Sequence, residues 1–268
     1  MAEVEFSSEE QSKKFTPPHR CNKEITNYKE GNNSYLAVYG MDKLIRKTNE
    51  QDHIISFQLK SFYNQESIKY SQTRKKYRSD ANLILEAIQN HPNKDIRIIE
   101  LGCGSGRFLQ HLELITDKNI IYTGVDLSEN LLEEAKKIPQ KKHIKTNFVC
   151  KDMVSYLTEC NQETVDIIVG IASFQHLPNK KRRFLATKYM YRCLKYDGLL
   201  LMTNRSFSSR MIKKHRKILL QSIRRKITHR SKSEWNNLMI PRKSNKICHK
   251  RFYHIFTKEE LKHLITQS

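Results

Sequence analysis

The sequence has little glycine and little acid, and both shortages are informative. Only 8 of the 268 residues are glycine, about half the usual share. Three of them, Gly102, Gly104 and Gly106, nevertheless fall within five positions of the stretch IIELGCGSGR. Asp and Glu number 28 against 49 Lys and Arg, which gives a formal net charge of +21. Such an excess of cationic side chains favours a polyanionic partner.

Long apolar runs and paired cysteines are also missing. The apolar stretches at 167–172 and 199–202 have the length of strands and fall far short of a membrane span. The polar N-terminus does not resemble a signal peptide. The six cysteines form no CxxC pair and no Cys/His set with zinc spacing, so no metal site is expected. We therefore expect a cytoplasmic protein with reduced thiols and no membrane partner.

The positive charge is concentrated in one segment. Residues 205–251 contain 16 Lys or Arg and a single acid, Glu234, and so carry +15 of the +21. A polycationic segment suits nucleic acid, because phosphate neutralisation dominates that affinity. An acidic membrane surface is a weaker alternative, and a merely solvated basic face is another.

The chain organisation changes near residue 55. Residues 1–55 lack a regular apolar period and predict a poorly ordered extension with one short helix near 41–50. From residue 56 onward, strands are predicted at 96–101, 120–127, 144–150, 165–173 and 199–203, with helices at 79–90, 107–115, 131–137, 153–159 and 180–194. Apolar strands that alternate with helices predict an α/β fold with a doubly wound, Rossmann-like, mostly parallel sheet.

The clustered glycines follow the first predicted strand in the spacing ExGxGxG, which begins at Glu100. Glycines at such a turn permit backbone conformations and close approaches that a Cβ forbids. A dinucleotide fold needs a further glycine three residues on, but Arg107 and Leu109 occupy the two candidate positions. The turn therefore argues against NAD(P) and for a cofactor without a pyrophosphate there.

An acid follows the second predicted strand at the expected distance. Asp126 lies 20 residues after Gly106, where a carboxylate can accept both hydroxyl groups of a ribose. The neighbouring Ser128 is predicted to cap the next helix, which leaves Asp126 available for a ligand.

Taken in order, these motifs resemble the class I S-adenosylmethionine-dependent methyltransferases. The matching runs are IIELGCGSGR, GVDLS, VCKDM, DIIVGIASFQHL and LKYDGLLLM, and they cover residues 96–203. The resemblance implies S-adenosylmethionine as the cofactor and implies these cofactor-binding residues: Glu100, Gly102, Gly104, Gly106, Asp126, Leu127, Asp152, Met153 and Ile171.

Several of these implied roles have plain alternatives. Asp152 would meet the adenine amino group, but it could equally cap the helix at 153–159, and Met153 could simply pack. His176 would face the methyl group and the acceptor. It could serve as a general base for a hydroxyl or ring nitrogen, position a carboxylate that needs no base, or be a satisfied loop histidine.

Flanking stretches suggest a narrower resemblance. The runs YSQTRKKYRSD, SFQHLPNKKRR and RFYHIFTKEELKHLI resemble the tRNA wobble-uridine carboxymethyl methyltransferases and their bacterial relatives. That resemblance implies Arg74 beside His176 as a catalytic candidate and makes residues 205–250 an RNA-facing insertion. It also implies these substrate-binding residues: Tyr63, Arg251, Tyr253 and His254.

The resulting expectation is a methyltransferase domain over 56–268 that acts on RNA, with tRNA as the specific hypothesis. The family fold has seven strands, and the last two are expected to be missing after a helix at 258–265. Two alternatives stay open. One is a methyltransferase for a small molecule or protein whose basic insertion is merely solvated. The other is a non-catalytic RNA-binding or partner-protein subunit with a degenerate cofactor fold.

Overall fold

A computed structural model describes residues 50–73, 80–139, 141–228, 234–244 and 247–266. Its central sheet has five parallel strands in the order β3-β2-β1-β4-β5. The strands are β1 (Asp95–Leu101), β2 (Asn119–Asp126), β3 (Ile144–Cys150), β4 (Val165–Ile171) and β5 (Leu194–Thr203). The strand order reverses between β1 and β4, which is the switch point where such folds bind ligands. The predicted doubly wound α/β fold is confirmed.

Helices separate and flank these strands. They are α1 (Glu50–Gln65), α2 (Ser67–Thr73), α3 (Asp80–Gln89), α4 (Arg107–Leu112), α5 (Glu129–Lys136), α6 (Met153–Glu159), α7 (Lys180–Cys193), α8 (Ser209–Ile227) and α9 (Lys258–Thr266), with a 3₁₀ turn at Phe174–His176. The core joins α3 and α4 to the strands through residues such as Ile88, Leu112 and Ile167, all fully buried. Among the described helices, none combines the length and apolar character needed to cross a membrane.

The basic insertion folds into a helix and a hairpin. Strands β6 (Asn237–Ser244) and β7 (Ile247–His254) pair antiparallel in a separate two-stranded sheet. The apolar face of α8 packs on this hairpin through Met211, Leu238 and Ile240. Within the described residues, the central sheet has five strands, and β6 and β7 do not join it.

Two predicted element boundaries move by three residues or more. Helix α4 ends at Leu112 and not at 115, because the chain turns there and the amide of Ile115 donates to the carbonyl of Leu112. Strand β5 begins at Leu194, five residues before its predicted start, because Leu194 already pairs with Val165. A register shift between Val165 and Ile167 accommodates the extra residues.

The predicted boundary at residue 55 falls inside α1. Residues 50–55 are helical, so they do not belong to an extension, while residues 1–49 lie outside the described part. The helix forms because Leu59 and Phe62, three positions apart, bury the same face. The apolar residues Ile54 and Phe57, which are 50% and 73% exposed, blur this short apolar stripe in the sequence.

Candidate active site

The three clustered glycines have three different surroundings. All have positive φ, at 75° for Gly102, 56° for Gly104 and 73° for Gly106, where glycine is strongly favoured. A Cβ on Gly102 would overlap that of Ser173, and one on Gly106 would lie 2.5 Å from Ile138 Cδ1. A Cβ on Gly104 would instead meet only Cε1 of Tyr70, at 3.9 Å, an ordinary van der Waals distance. Gly106 therefore allows α4 to approach α5, and its cofactor contact stays a prediction.

Asp126 is held at the end of β2 by backbone donors. The amide of Gly104 donates to Oδ2 at 2.8 Å, and the amide of Ser128 donates to Oδ1 at 2.9 Å. Burial raises the pKa of Asp126, while these amides oppose the increase. Each oxygen keeps lone-pair capacity, so the carboxylate fits the two hydroxyls of a ribose. The predicted Ser128 cap is confirmed, since its hydroxyl accepts from the amide of Leu131 at 3.2 Å.

Glu100 lies buried beneath the glycine turn. Its Oε2 accepts a hydrogen bond from the hydroxyl of Tyr122 at 2.5 Å. Burial raises the pKa of Glu100 to about 8, against the opposing effect of that hydrogen bond. It lines a small cavity beside the main pocket together with Gly102 and Gly104. A cationic ligand group at this point would favour the ionised carboxylate.

Asp152 caps α6, as the alternative interpretation held. Its Oδ1 accepts from the amides of Val154 and Ser155 at 3.0 and 3.1 Å, and its Oδ2 pairs with Arg182 at 2.6 Å. The residue also lines the pocket beside Met153. Contact with adenine therefore stays a prediction and would have to be made alongside these protein partners.

One pocket of about 290 Å³ joins the two ends of the predicted site. It lies at the carboxyl edge of the sheet, where β1, β2 and β4 end. Of the residues singled out from the sequence, these line it: Tyr63, Gly102, Gly104, Asp126, Leu127, Asp152, Met153, Ile171, His176, Arg251 and Tyr253. Segments more than 180 positions apart in the chain thus meet in one cavity.

A directed chain of hydrogen bonds crosses the acceptor end of the pocket. The carbonyl of Phe252 lies 2.8 Å from His176 Nδ1 and can only accept, so Nδ1 carries a proton. In the neutral ring Nε2 is then an acceptor, and the hydroxyl of Tyr63 donates to it at 3.3 Å. Arg251 in turn donates to the Tyr63 oxygen at 3.4 Å. Burial raises the pKa of Tyr63 far above its usual value, so this phenol keeps its proton.

Arg251 is held between aromatic rings. Its guanidinium carbon lies 5.0 Å from the ring centre of Phe62 and 5.2 Å from that of Tyr253. The other guanidinium at this end, from Arg205, lies 4.6 Å from the same Tyr253 ring. Arg251 is only 7% exposed, and its Nε has no hydrogen-bond partner. Within the described part of the chain, no carboxylate forms an ion pair with it.

The sequence interpretation missed several pocket residues: Tyr70, Lys151 and Arg205. Arg205 follows the carboxyl end of β5, and that position could have indicated it, because parallel strands end at one edge of a sheet. Gln175 lies in the 173–176 loop, which the resemblance to class I methyltransferases placed beside the methyl group and the substrate, and its Oε1 accepts from the amide of Arg205 at 2.7 Å.

Four predicted residues are not among those that line the pocket. Glu100 lines only the small adjoining cavity, and Gly106 faces Ile138 at the start of α4. Arg74 lies outside the described residues. His254 is fully buried on the other face of β7 from Arg251 and Tyr253, because side chains alternate along a strand. In this geometry His254 therefore does not reach a substrate in the pocket.

Comparison with known proteins gives this site its class. Residues 98–198 match the family model of a methyltransferase domain. A malonyl-[acyl-carrier protein] O-methyltransferase from Bacillus anthracis is 29% identical over 147 residues, which are 54% of this chain and 51% of that protein. A carboxy-S-adenosyl-L-methionine synthase from Nautilia profundicola is 30% identical over 145 residues, 54% of this chain and 58% of that protein.

The fold has solved counterparts. A S-adenosylmethionine-dependent methyltransferase from Methanosarcina mazei matches with a TM-score of 0.54 and 24% identity over 67% of this chain and 82% of that one. At this identity the likeness shows the fold.

Residues 98–198 therefore form a class I, S-adenosylmethionine-dependent methyltransferase domain. The uncrowded position of Gly104 in the pocket wall and the oxygens of Asp126 fit that cofactor. The chain spans about half the length of the curated relatives it matches, and the narrower tRNA-methyltransferase resemblance is not confirmed.

Proposed function

We propose that the chain catalyses methyl transfer from S-adenosylmethionine to an oxygen of an anionic acceptor, with a carboxylate as the acceptor group. The observation that carries the proposal is Arg251, a buried cation in the pocket with no carboxylate partner in the described residues. A buried charge without a counter-charge is costly. An anionic acceptor would supply that counter-charge.

The shape of the cation suits a carboxylate. A guanidinium is planar and binds the two oxygens of a carboxylate through parallel hydrogen bonds. The rings of Phe62 and Tyr253 hold the Arg251 plane, and Arg205 adds a second positive charge at the same end of the pocket. The entropic cost of ordering the cation is met before the acceptor arrives.

The hydrogen-bond chain also favours an acceptor that is already ionised. The cofactor supplies a methyl group on a sulfonium, and the remaining requirement is in-line alignment of the nucleophile. The lone pair of His176 Nε2 is directed at the hydroxyl of Tyr63, so it does not point freely at an acceptor proton. A carboxylate needs no base, and His176 and Tyr63 then serve to orient it. The name of the Bacillus relative likewise specifies O-methyl transfer.

We further propose that an RNA carries the acceptor, as the charge distribution suggested. Helix α8 begins four residues after Arg205 and contains no acid. Its apolar face packs on the hairpin, and its other face is exposed and basic through residues that include Arg210, Lys213, Lys214, Arg216, Lys217, Arg224, Arg225 and Lys226. A basic face beside the pocket would attract phosphates. A small-molecule or protein acceptor, with this face merely solvated, is the alternative.

The test follows a labelled methyl group. The full chain is incubated with methyl-labelled S-adenosylmethionine and total cellular extract, with and without ribonuclease or protease. Mild base then releases methanol from carboxyl methyl esters and leaves N-methyl and ribose O-methyl groups intact. Base-labile label in RNA supports both proposals, and base-labile label in protein or small molecules supports the carboxylate alone. Base-stable label would contradict the carboxylate.

Two sets of variants test the roles of Arg251 in acceptor binding and of α8 in RNA binding. Arg251→Gln is expected to lower kcat/KM about 100-fold, through the loss of about 3 kcal/mol of paired, charged hydrogen bonds. Arg251→Lys keeps the charge but lacks the planar guanidinium, so its kcat/KM should lie between those of Arg251→Gln and the parent. Both should bind S-adenosylhomocysteine as the parent does. For RNA, replacing Arg224, Arg225 and Lys226 with Gln should weaken binding and flatten its salt dependence, whereas the same change at the exposed Lys141, Lys142 and Lys145 should not.

A further inference from the structure

A buried polar cluster lies behind the acceptor end of the pocket. It consists of Arg183 from α7, Glu260 from α9, His254 from β7 and Glu234 from the segment before β6. Arg183 and His254 are fully buried. The Arg183 guanidinium lies 2.5 Å from Glu234 Oε2 and 3.6 Å from Glu260 Oε1. The cluster therefore joins the hairpin to two helices of the methyltransferase fold.

The hydrogen bonds of His254 define its protonation. Its Nε2 lies 2.7 Å from Glu260 Oε1, and its Nδ1 lies 2.6 Å from Asn237 Oδ1. The Asn237 amide orientation is fixed, because its Nδ2 donates to the carbonyl of Pro178 at 3.3 Å. The Asn236 Nδ2 also lies 3.3 Å from His254 Nε2, but its two hydrogens have closer acceptors in the carbonyl of Ile255 at 3.0 Å and Glu260 Oε2 at 3.2 Å. Each ring nitrogen thus has an acceptor oxygen as its nearest partner, and only the imidazolium carries two donors.

The charges within the cluster balance. Arg183 and the His254 imidazolium supply two positive charges, and Glu234 and Glu260 supply two negative charges. Burial alone would raise the pKa of Glu260, but its hydrogen bond to His254 and the nearby positive charges hold it below its usual value. One potential metal-ligand atom from each of Glu234, His254 and Glu260 lies within 4.8 Å of the other two, a spacing that could hold a metal ion. Arg183 already provides the cation there.

Strand alternation connects this cluster to the pocket. Arg251 and Tyr253 face the pocket, while Phe252 and His254 are buried on the other face of β7. The carbonyl of Phe252 fixes the Nδ1 proton of His176. Any shift of β7 therefore moves the anion-binding guanidinium and the His176 partner together.

We propose that the His254 imidazolium is a positioning residue that fixes β7, so that Arg251 and the Phe252 carbonyl hold their places in the pocket. Loss of its second proton leaves a ring lone pair against an oxygen of Glu260 or Asn237 and loosens the hairpin. The role of Arg251 rests on the proposed function, but the protonation and the fixing of β7 do not.

The test needs no acceptor. Nitrogen-15 NMR of histidine-labelled protein at pH 7 should show both ring nitrogens of His254 protonated. Phenylglyoxal modification of Arg251, followed by peptide mass spectrometry, should be at least about fivefold faster in His254→Gln because the hairpin opens more often. The exposed Arg225 serves as an internal reference in the same digest and should react equally in all variants.

Glu260→Gln provides a second variant where His254→Gln fails to fold, and Glu259→Gln, exposed on the same helix, is its matched control. The Glu260 variant should speed modification of Arg251, and the Glu259 variant should not. A singly protonated His254 at pH 7, or unchanged Arg251 reactivity in a folded variant, overturns the proposal. Stoichiometric Zn²⁺ binding that Glu260→Gln abolishes would also overturn it, since the cluster would then be a metal site. None of these outcomes depends on which acceptor is methylated.

Discussion

The two ends of the pocket are built in opposite ways. The cofactor end comes from one stretch of parallel sheet, and its key polar contacts are backbone amides: Gly104 and Ser128 hold Asp126. The acceptor end comes from separate elements, and its contacts are side chains: Tyr63, His176 and Arg251 belong to α1, the 3₁₀ turn and β7. The cofactor end is fixed by local backbone geometry, whereas the acceptor end depends on distant packing.

Removing the charge at Asp126 should give the largest effect on the cofactor end. Asp126→Asn keeps the shape but weakens the bonds to two ribose hydroxyls by about 1.5 kcal/mol each, which amounts to a loss of about 100-fold in affinity. Calorimetric titration with S-adenosylhomocysteine measures it. Arg251→Gln serves as the comparison from the acceptor end and should bind S-adenosylhomocysteine as the parent does. Equally weak binding by both variants would contradict the separation of the pocket into a cofactor end and an acceptor end.

Adding a methyl group to Gly106 or Gly104 separates packing from ligand binding within one turn. Gly106→Ala should destabilise the fold by about 3 kcal/mol, because the positive φ costs about 1–2 kcal/mol and the new Cβ collides with Ile138. Gly104→Ala should cost only the conformational part and should lose cofactor affinity. Urea unfolding and calorimetry check the pair, and equal unfolding midpoints would contradict the assignment.

Glu100 makes stability of the cofactor end depend on pH. Its pKa is about 8 in the fold and about 4.3 in an unfolded chain, so the folded state holds a proton that the unfolded state releases. Its contribution to stability is therefore complete below about pH 4 and falls as the pH rises toward about 8. Glu100→Gln should be more stable than the parent by about 3 kcal/mol near pH 7, because its amide does not ionise. Denaturation at pH 5 and pH 8 should show the difference growing with pH, and a constant difference would refute it.

Ser128 ties the two ends together, and its loss should have the smallest effect. Its hydroxyl accepts from the amide of Leu131 and donates to Asn64 of α1 at 2.6 Å. Ser128→Ala should cost about 1 kcal/mol for the cap and should loosen α1, which carries Tyr63. Thermal unfolding measures the first effect, and hydrogen exchange of α1 measures the second. Ser209→Ala, at an exposed non-capping position, is the control.

The contrast between the ends explains what the sequence could predict. Strands β1 to β4, the caps at Ser128 and Asp152, and the position of Asp126 follow from apolar runs and from motifs that act within a few residues. The helical state of residues 50–55 was missed, because the exposed apolar residues Ile54 and Phe57 blur the stripe of Leu59 and Phe62 that marks the buried face of α1. The resemblance suggested Tyr63, Arg251 and Tyr253, and the fold brings them to the pocket. It also suggested His254, but side chains alternate along β7 and that of His254 points away from the pocket. Which face of β7 points toward the pocket is decided by packing against α7 and α9, which the sequence does not show.

The separate hairpin has a consequence for how this protein could change its acceptor. Strands β6 and β7 do not share hydrogen bonds with the five-stranded sheet, so residues that line the acceptor end can vary without altering the strand pairing that shapes the cofactor end. The hairpin and α8 could therefore be exchanged as a unit, while the five-stranded sheet that forms the cofactor end stays the same. Grafting such an insertion between related methyltransferases, with its buried charged partners on α7 and α9 transferred alongside, is a direct route to new acceptor specificity.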